Sequence, residues 1–123
     1  MKRSIPVVPV GKPRMTQRDK WRQRPAVMKY RMFCDELRLY LRDLPDNFSV
    51  DFYLPMPKSW SKKKQTQMDG QPHQQKPDID NLQKALLDAI CKEDKQVWSI
   101  KARKFWSSQG RIEVYQDELP QDR

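Results

Sequence analysis

The fold is decided by residues 25–54, PAVMKYRMFCDELRLYLRDLPDNFSVDFYL, along which the spacing of the apolar residues changes once. The first part places apolar side chains at the steps of one helix face, and Pro25 suits its first turn. That apolar stripe consists of Tyr30, Phe33, Cys34, Leu37 and Leu41. Because Leu44-Pro45 ends the pattern, we expect a helix of roughly four turns. The second part, from Phe48 to Leu54, alternates apolar and polar residues, which predicts a half-buried strand.

A shorter β-type segment lies toward the N-terminus. The segment from Ile5 to Val10 is rich in β-branched residues, but Pro6 and Pro9 cannot donate hydrogen bonds to a sheet, so it predicts an edge strand. Residues 11–24 have no apolar period and are rich in Lys and Arg. We therefore expect an irregular basic arm between this strand and the first helix.

Residues 55–77 follow the central strand and contain four prolines, the run Lys62-Lys63-Lys64 and many glutamines. They show no periodicity, which predicts a loop without regular structure. A loop of this length inside a compact domain is usually functional or mobile. Its charge favours contact with DNA, and a merely solvated insertion is the alternative.

The remaining elements complete the fold class. A second helix is predicted from about Asp78–Asp80 to about Lys92, with one apolar side formed by Ile79, Leu82, Leu86, Ala89 and Ile90. Residues 96–106 and the segment around Ile112 and Val114 predict two strands, and the intervening turn favours an antiparallel hairpin. The order β-α-β-α-β-β predicts an α+β fold, with two helices packed on a small mixed sheet of about four strands.

The length of 123 residues favours a single domain over residues 1–123, ending in a loose acidic tail at 116–123. Only 37% of the residues are hydrophobic and the mean hydropathy is −1.01, so the core is thin. Small domains with thin cores often gain stability by pairing, which favours a homodimer. The aromatic residues Trp98, Trp106 and Tyr115 are candidates to line the dimer surface.

The net charge of +9 is unevenly placed: residues 1–31 carry ten Lys or Arg against one acid, and residues 58–76 have a net charge of +4. A basic surface attracts polyanions, and the interleaved Trp21, Tyr30 and Trp60 suit packing on bases or sugars. A soluble surface with extra lysines is the plain alternative. The predicted DNA-binding residues are Lys12, Arg14, Arg18, Lys20, Arg22, Arg24, Lys62, Lys63, Lys64 and Lys76.

Several classes of site are excluded by the residue types. Cys34 and Cys91 lie 57 positions apart and His73 is the one histidine, which argues against a zinc site and predicts two reduced thiols. We interpret His73 as a loop residue, not a catalytic base, because no Ser or Cys partner for a triad is evident. No apolar run approaches a membrane span and no signal-peptide core is visible, so we expect a cytoplasmic protein without a membrane partner or small-molecule cofactor.

Acidic residues stand in two short motifs, Asp78-Ile-Asp80-Asn81 and Glu93-Asp94. Phosphodiester cleavage needs a nucleophilic water at neutral pH and stabilisation of charge on phosphorus, and carboxylates that hold Mg²⁺ supply both. If the chain is extended at Asp78–Asp80, both side chains point to one face, and Lys84 lies one helical turn further on. Asp94 would have to return to this site through the start of the following strand.

Each of these residues also has a plain structural interpretation. Asp78 or Asp80 could be a helix N-cap, and Asp80 and Lys84 could form an ordinary i, i+4 ion pair. Asp94 could be a turn residue. Asp88 continues the acidic face of the second helix, and we interpret it as a structural or supporting residue.

The run PDIDNLQKA at 77–85, followed by LDA at 87–89, strongly resembles the signature of the RusA family of Holliday junction resolvases. EDKQV at 93–97 resembles a second motif of that family, which consists of two acidic residues, any residue, a Gln and a hydrophobic residue. Glu93 stands where an Asp is more usual, and the arm at 11–16 is more basic than the Asn-rich stretch of the best-known member. The resemblance covers residues 77–115 well, and over residues 1–76 it rests on the order strand–helix–strand.

The resemblance implies a homodimer that binds four-way DNA junctions in recombination and repair and nicks two opposed strands symmetrically, using Mg²⁺ with Mn²⁺ as the alternative ion. The family's essential carboxylates match Asp78, Asp80 and Asp94 as metal ligands, and its essential lysine matches Lys84; these four are the predicted catalytic residues. Three other functions stay open at this point: a broader metal nuclease acting on flaps or forks, a non-catalytic DNA-binding protein, and a structural subunit that docks on an acidic protein.

Overall fold

The computed structural model describes residues 2–14, 24–91 and 94–116, apart from the side chain of Asp94. These residues form four strands and three α-helices, which confirms the predicted α+β class and adds one helix. The strands are β1 (Lys2–Ile5), β2 (Asn47–Pro55), β3 (Ser99–Ser107) and β4 (Arg111–Tyr115). The helices are α1 (Pro25–Tyr40), α2 (Lys62–Met68) and α3 (Ile79–Ile90), and a 3₁₀ turn covers Asp94–Gln96.

The core lies between one face of the sheet and the pair of helices α1 and α3. Helix α1 has Pro25 in its first turn, as predicted, and its apolar stripe is buried through to Leu41. Helix α3 contributes Leu82, Ala85, Leu86 and Ala89 to the same core. The alternate residues of β2 that meet both helices are Phe48, Val50, Phe52 and Leu54. No helix in the described ranges is long and apolar enough to cross a membrane.

The expected hairpin between the last two strands is wrong. The sheet order is β1-β4-β2-β3: β3 pairs in parallel with β2, and β4 inserts antiparallel between β1 and β2. The turn signal at 107–110 indicates only that two strands are close in sequence and does not specify that they pair with each other. In the sheet β2 lies between them, paired with β3 along one edge and with β4 along the other. The link from β3 to β4 passes close to Val8, since a Cβ on Gly110 would lie 2.7 Å from Val8 Cγ2.

Burial of the second face of β2 also differs from the prediction of a half-buried strand. Asn47, Ser49 and Asp51 are all buried, although they point away from the helices. The Asp51 carboxylate accepts two hydrogen bonds of 2.8 Å from Arg103 and one from the hydroxyl of Tyr115. A buried carboxylate is tolerated only when such partners replace water. Sequence alternation does not reveal them, because they come from β3 and β4.

The N-terminal strand is an edge strand, as predicted, but it occupies different residues. Strand β1 covers Lys2–Ile5 and, among the described strands, pairs only with β4. The proline-containing residues 6–10 run on beyond it without strand structure, because Pro6 and Pro9 have no N–H to give to a ladder.

Helix α2 corrects the prediction of a structureless loop over 55–77. It begins after Ser61, whose hydroxyl accepts a hydrogen bond from the Lys64 N–H at 3.2 Å, a standard N-cap contact. No residue of α2 is buried, so the helix leaves no apolar period in the sequence. The preceding Trp60 packs on Trp106 with ring centroids 4.8 Å apart, which attaches this segment to β3. Trp106 is therefore buried within its own chain, while Trp98 is 63% exposed.

Candidate active site

The first turn of α3 presents Asp78 and Asp80 to solvent. Asp78 occupies the N-cap position with an extended backbone (φ −66°, ψ 147°), but its side chain makes no capping hydrogen bond. Asp80 lies in the first turn, where the helix dipole favours a negative charge. Both side chains are exposed, so neither carboxylate is consumed in holding the fold together. Asp78 therefore stands at the N-cap position but lacks the side-chain hydrogen bond by which an N-cap residue stabilises a helix.

These two carboxylates line an open groove of about 720 Å³ between the start of α3 and the end of β3. The groove combines both acids with the cations Arg103 and Lys104 and the ring of Phe105. Arg103 is engaged with Asp51 on the sheet, whereas Lys104 bonds to the turn that precedes α3. The remaining lining residues are Pro72, His73, Gln74, Gln75 and Ile79.

Lys84 lies one turn beyond Asp80, with its Nζ 3.7 Å from Asp80 Oδ2. The side chains of Lys84 and Asp80 are 63% and 65% exposed, so water screens this pair. Exposed i, i+4 pairs contribute only about 0.3–0.5 kcal/mol to stability. The contact is therefore present but weak, and it leaves both groups free to bind other charges.

Asp94 is separated from this end of the molecule. Helix α3 has 12 residues and is thus about 18 Å long, and the 3₁₀ turn that starts at Asp94 follows its far end. Soon after, the Trp98 N–H donates to the Asp46 carbonyl, and Ser99 pairs with Asn47 at the start of β2. The structure therefore brings Asp78 and Asp80 together but places the backbone of Asp94 at the opposite end of α3.

The Asp94 side chain and Glu93 lie outside the described residues. Among the described side chains there is no group of three or more His, Cys, Asp or Glu that could hold a metal ion. In the described part of the chain, Asp78 and Asp80 are the two carboxylates that line the groove, and the 12-residue length of α3 argues against the expected approach of Asp94 from the same chain. Whether Asp94 is a ligand stays a prediction.

The basic arm begins beside the first turn of α3. A Cβ on Gly11 would lie 2.9 Å from Pro77 Cβ, and the Lys12 N–H donates to the Asn81 carbonyl at 3.1 Å. At its far end, the Arg24 guanidinium donates to the Arg14 carbonyl at 2.9 Å. These contacts place the predicted DNA-binding residue Lys12 beside the first turn of α3 and join the predicted DNA-binding residues Arg24 and Arg14 to each other. Arg18, Lys20 and Arg22 lie outside the described residues.

Lys12 also interacts with the side of α3. Its Nζ lies 3.5 Å from Asp88 Oδ1, and Asp88 accepts a hydrogen bond from the hydroxyl of Tyr30 on α1. Burial, and then the hydrogen bond to Asp88, raise the pKa of Tyr30 far above its ordinary value. Asp88 therefore joins the arm, α1 and α3, in agreement with its interpretation as a structural residue.

The second predicted basic segment is exposed. Lys62, Lys63 and Lys64 lie on α2, and Lys64 Nζ stands 4.3 Å from the centroid of Trp60. Lys76 is exposed directly before Pro77. Because Trp60 packs on Trp106, this basic segment is held beside the strand that lines the groove.

His73, which the sequence predicts to be a loop residue without a catalytic role, packs against Trp106. It is buried, its ring centroid lies 4.1 Å from that of Trp106, and its Nδ1 has no hydrogen-bond partner. Burial, and then the nearby Lys104 charge, lower the pKa of His73 below its ordinary 6.5. Both effects favour the neutral ring, and Nδ1 is enclosed.

Sequence reasoning missed Lys104 as a residue of this groove. Its Nζ donates to the carbonyls of Gln75 and Pro77, at 2.7 and 2.8 Å. In the sequence Lys104 stands in a run of alternating residues on a strand, where an exposed lysine is ordinary. Only the pairing of β3 with residues 70–73 brings it next to Asp78, and no local pattern encodes that pairing.

Comparison with known proteins finds similarity over most of the chain. The family model described as "Endodeoxyribonuclease RusA" matches residues 5–115. A curated relative, the uncharacterized protein YqaN of Bacillus subtilis (strain 168), is 43% identical over 79 residues, which cover 57% of this chain and 55% of the relative. The chain thus spans about half the length of that curated relative. No solved structure shows significant similarity to the chain.

Proposed function

Because the chain belongs to the RusA family of endodeoxyribonucleases, we propose that it is a Mg²⁺-dependent nuclease that resolves four-way DNA junctions by paired nicks. The observation that carries the proposal is the pair of exposed carboxylates, Asp78 and Asp80, in a groove bordered by basic residues. Hard oxygen ligands of this kind suit Mg²⁺, which retains several of its waters and needs few protein ligands.

The two carboxylates, Lys84 and the basic segments have separate tasks in this proposal. Bound Mg²⁺ would supply charge neutralisation at the phosphate and a nucleophilic water. Asp78 and Asp80 would hold the ion and thereby orient the attacking water. Lys84, one turn along α3, would stabilise the negative charge that develops as the bond from phosphorus to the leaving oxygen breaks. The basic arm and α2 would bind the backbone of the DNA.

Asp94 enters the site through a homodimer. Asp78 and Asp94 lie at opposite ends of α3, but a two-fold axis perpendicular to α3 reverses the direction of the helix in the second protomer. Asp94 of the partner subunit can then complete the pair formed by Asp78 and Asp80. Two such composite sites, related by the same axis, suit a junction whose opposed strands are also related by two-fold symmetry.

The direct test is incubation of the protein with a labelled four-way junction, with and without Mg²⁺, followed by mapping of the cuts. We expect two symmetric nicks that require the ion. A junction left intact in Mg²⁺ and in Mn²⁺ would reduce the function to DNA binding. Equal cutting of flaps and forks would point to a broader structure-specific nuclease.

Replacing Lys84 by Ala is expected to lower the single-turnover cleavage rate about a hundredfold, the usual effect of removing one donor to a developing negative charge. Junction affinity and its salt dependence should change little. Lys63→Ala is the matched control, since loss of a lysine that only contacts phosphate lowers affinity and reduces the salt slope by about one. A Lys84→Ala variant that behaves like this control would assign Lys84 to binding.

A further inference from the structure

Strand β3 holds the segment that leads into α3. The Gly70 N–H donates to the Trp106 carbonyl at 2.8 Å, and the Trp106 N–H donates to the Gln71 carbonyl at 2.9 Å. The last backbone bond of this series runs from the His73 N–H to the Lys104 carbonyl at 3.0 Å. Beyond His73 the segment turns away from the strand toward Asp78, and backbone pairing with β3 ends.

Beyond the last backbone hydrogen bond, the side chain of Lys104 connects β3 to the segment before α3. Its ammonium donates to the carbonyl of Gln75 at 2.7 Å and to that of Pro77 at 2.8 Å. These carbonyls lie on either side of Lys76 in the turn directly before Asp78. Hydrogen bonds from a charged donor are short and roughly twice as strong as neutral ones. One side chain on a rigid strand thus fixes both ends of the turn.

The Lys104 ammonium lies close to the candidate metal ligand, because it bonds to the carbonyl of Pro77, the residue before Asp78. Burial lowers the pKa of Lys104, and the negative charge of Asp78 opposes that shift. Water is partly excluded around the ammonium, so removal of Lys104 would leave the Gln75 and Pro77 carbonyls without this donor in a partly enclosed position. The turn could then move, and Asp78 would move with it.

We propose that Lys104 is a positioning residue of the metal site, which fixes the turn 75–77 so that the Asp78 carboxylate is preorganised to bind a divalent ion. This inference rests on the proposed function, since it takes Asp78 as a metal ligand. Groups that orient metal ligands typically contribute a factor of about 10–100 to metal affinity. The role predicts an effect on the metal requirement, with a smaller effect on the cleavage step.

The test compares Lys104→Met, which keeps an unbranched apolar side chain but removes the ammonium, with Lys104→Arg, which keeps charge and donors. Lys101→Met is the matched control, because Lys101 is an exposed lysine on the same strand. Two quantities are measured: the Mg²⁺ concentration that half-saturates junction cleavage, and Mn²⁺ binding to the DNA-free protein by electron paramagnetic resonance. Far-UV circular dichroism compares the folds of the variants.

For Lys104→Met we expect both metal midpoints to rise about tenfold, with the rate at saturating Mg²⁺ within about threefold of wild type. Lys104→Arg should restore the midpoints to within about threefold, and Lys101→Met should leave them unchanged. Unchanged midpoints in a folded Lys104→Met protein would overturn the proposal, as would a fall in maximal rate alone. If Lys104→Met does not fold, the test uses Lys104→Arg alone. Metal midpoints of Lys104→Arg that are as high as those of Asp78→Asn would then overturn the proposal. Wild-type protein that binds Mn²⁺ without cutting a junction would count against the proposed nuclease and not against this role.

Discussion

A heterodimer of one Asp80→Asn protomer and one Asp94→Asn protomer is expected to nick four-way junctions, although neither parent homodimer does. In the composite arrangement, one of its two sites receives both substitutions. The other combines an intact Asp80 from one protomer with an intact Asp94 from the other. One working site should nick a single strand at about half the wild-type rate per dimer, since half of the sites are intact.

The measurement uses two affinity tags, so that only the mixed dimer is purified, and a junction labelled on each strand in turn. A mixture of Asp78→Asn with Asp80→Asn is the matched control. Both substitutions fall at the same end of α3, so each site of that dimer keeps one defect and should stay inactive. An inactive Asp80→Asn/Asp94→Asn dimer that still binds the junction would contradict the shared sites.

The homodimers of Asp78→Asn and of Asp80→Asn should each lose cleavage by at least about a thousandfold, because the charge that neutralises the reacting phosphate is lost with the ion. Binding of the junction should stay near wild type or become tighter, since affinity comes from the basic surface and a negative charge has been removed. Neither side chain is buried, and Asp78 makes no capping bond, so stability should change by less than about 0.5 kcal/mol.

Single-turnover cleavage, gel-shift titration and thermal unfolding measure these three quantities on the same preparations. Asp69→Asn serves as the control, because Asp69 is an exposed acid at the end of α2 that does not line the groove. Full activity in Asp78→Asn or in Asp80→Asn would remove that residue from the site. A loss of affinity that matches the loss of cleavage would place it in DNA binding.

The sequence predicts those elements whose signals are local. Pro25 and the stripe that ends at Leu41 specify α1, and the alternation from Phe48 to Leu54 specifies β2, because the apolar residues of each element lie on one face and therefore recur with a period. Helix α2 has an N-cap at Ser61, but it buries no side chain. Its sequence therefore shows no periodic spacing of apolar residues. Strand β4 lies between β1 and β2 because it pairs with both of them. The residues of β4 predict a strand, but they do not specify which strands are its neighbours.

The same division applies to the candidate site. Asp78, Asp80 and Lys84 lie within two turns of one helix, so their spacing alone predicts that they are neighbours. The distance to Asp94 depends on the length of α3 and on the direction in which β3 returns. Lys104 reaches Asp78 only through the pairing of β3 with residues 70–73. Contacts of this kind arise from tertiary structure and leave no periodic trace in the sequence.

The position of β4 has a consequence for the order in which the protein can fold during synthesis. Of the four described strands, Arg111–Tyr115 is synthesised after the other three and fills an interior place in the sheet. Lys2–Ile5 is synthesised before the other three and, among them, pairs with β4 alone. On the ribosome, β1 therefore waits without a partner until nearly all of the described chain has emerged. Such first-to-last pairing slows folding, because a long loop must close before its contacts form. While the chain waits, the exposed edge of β2 is open to pairing with other chains, and a molecular chaperone would be most useful in that interval.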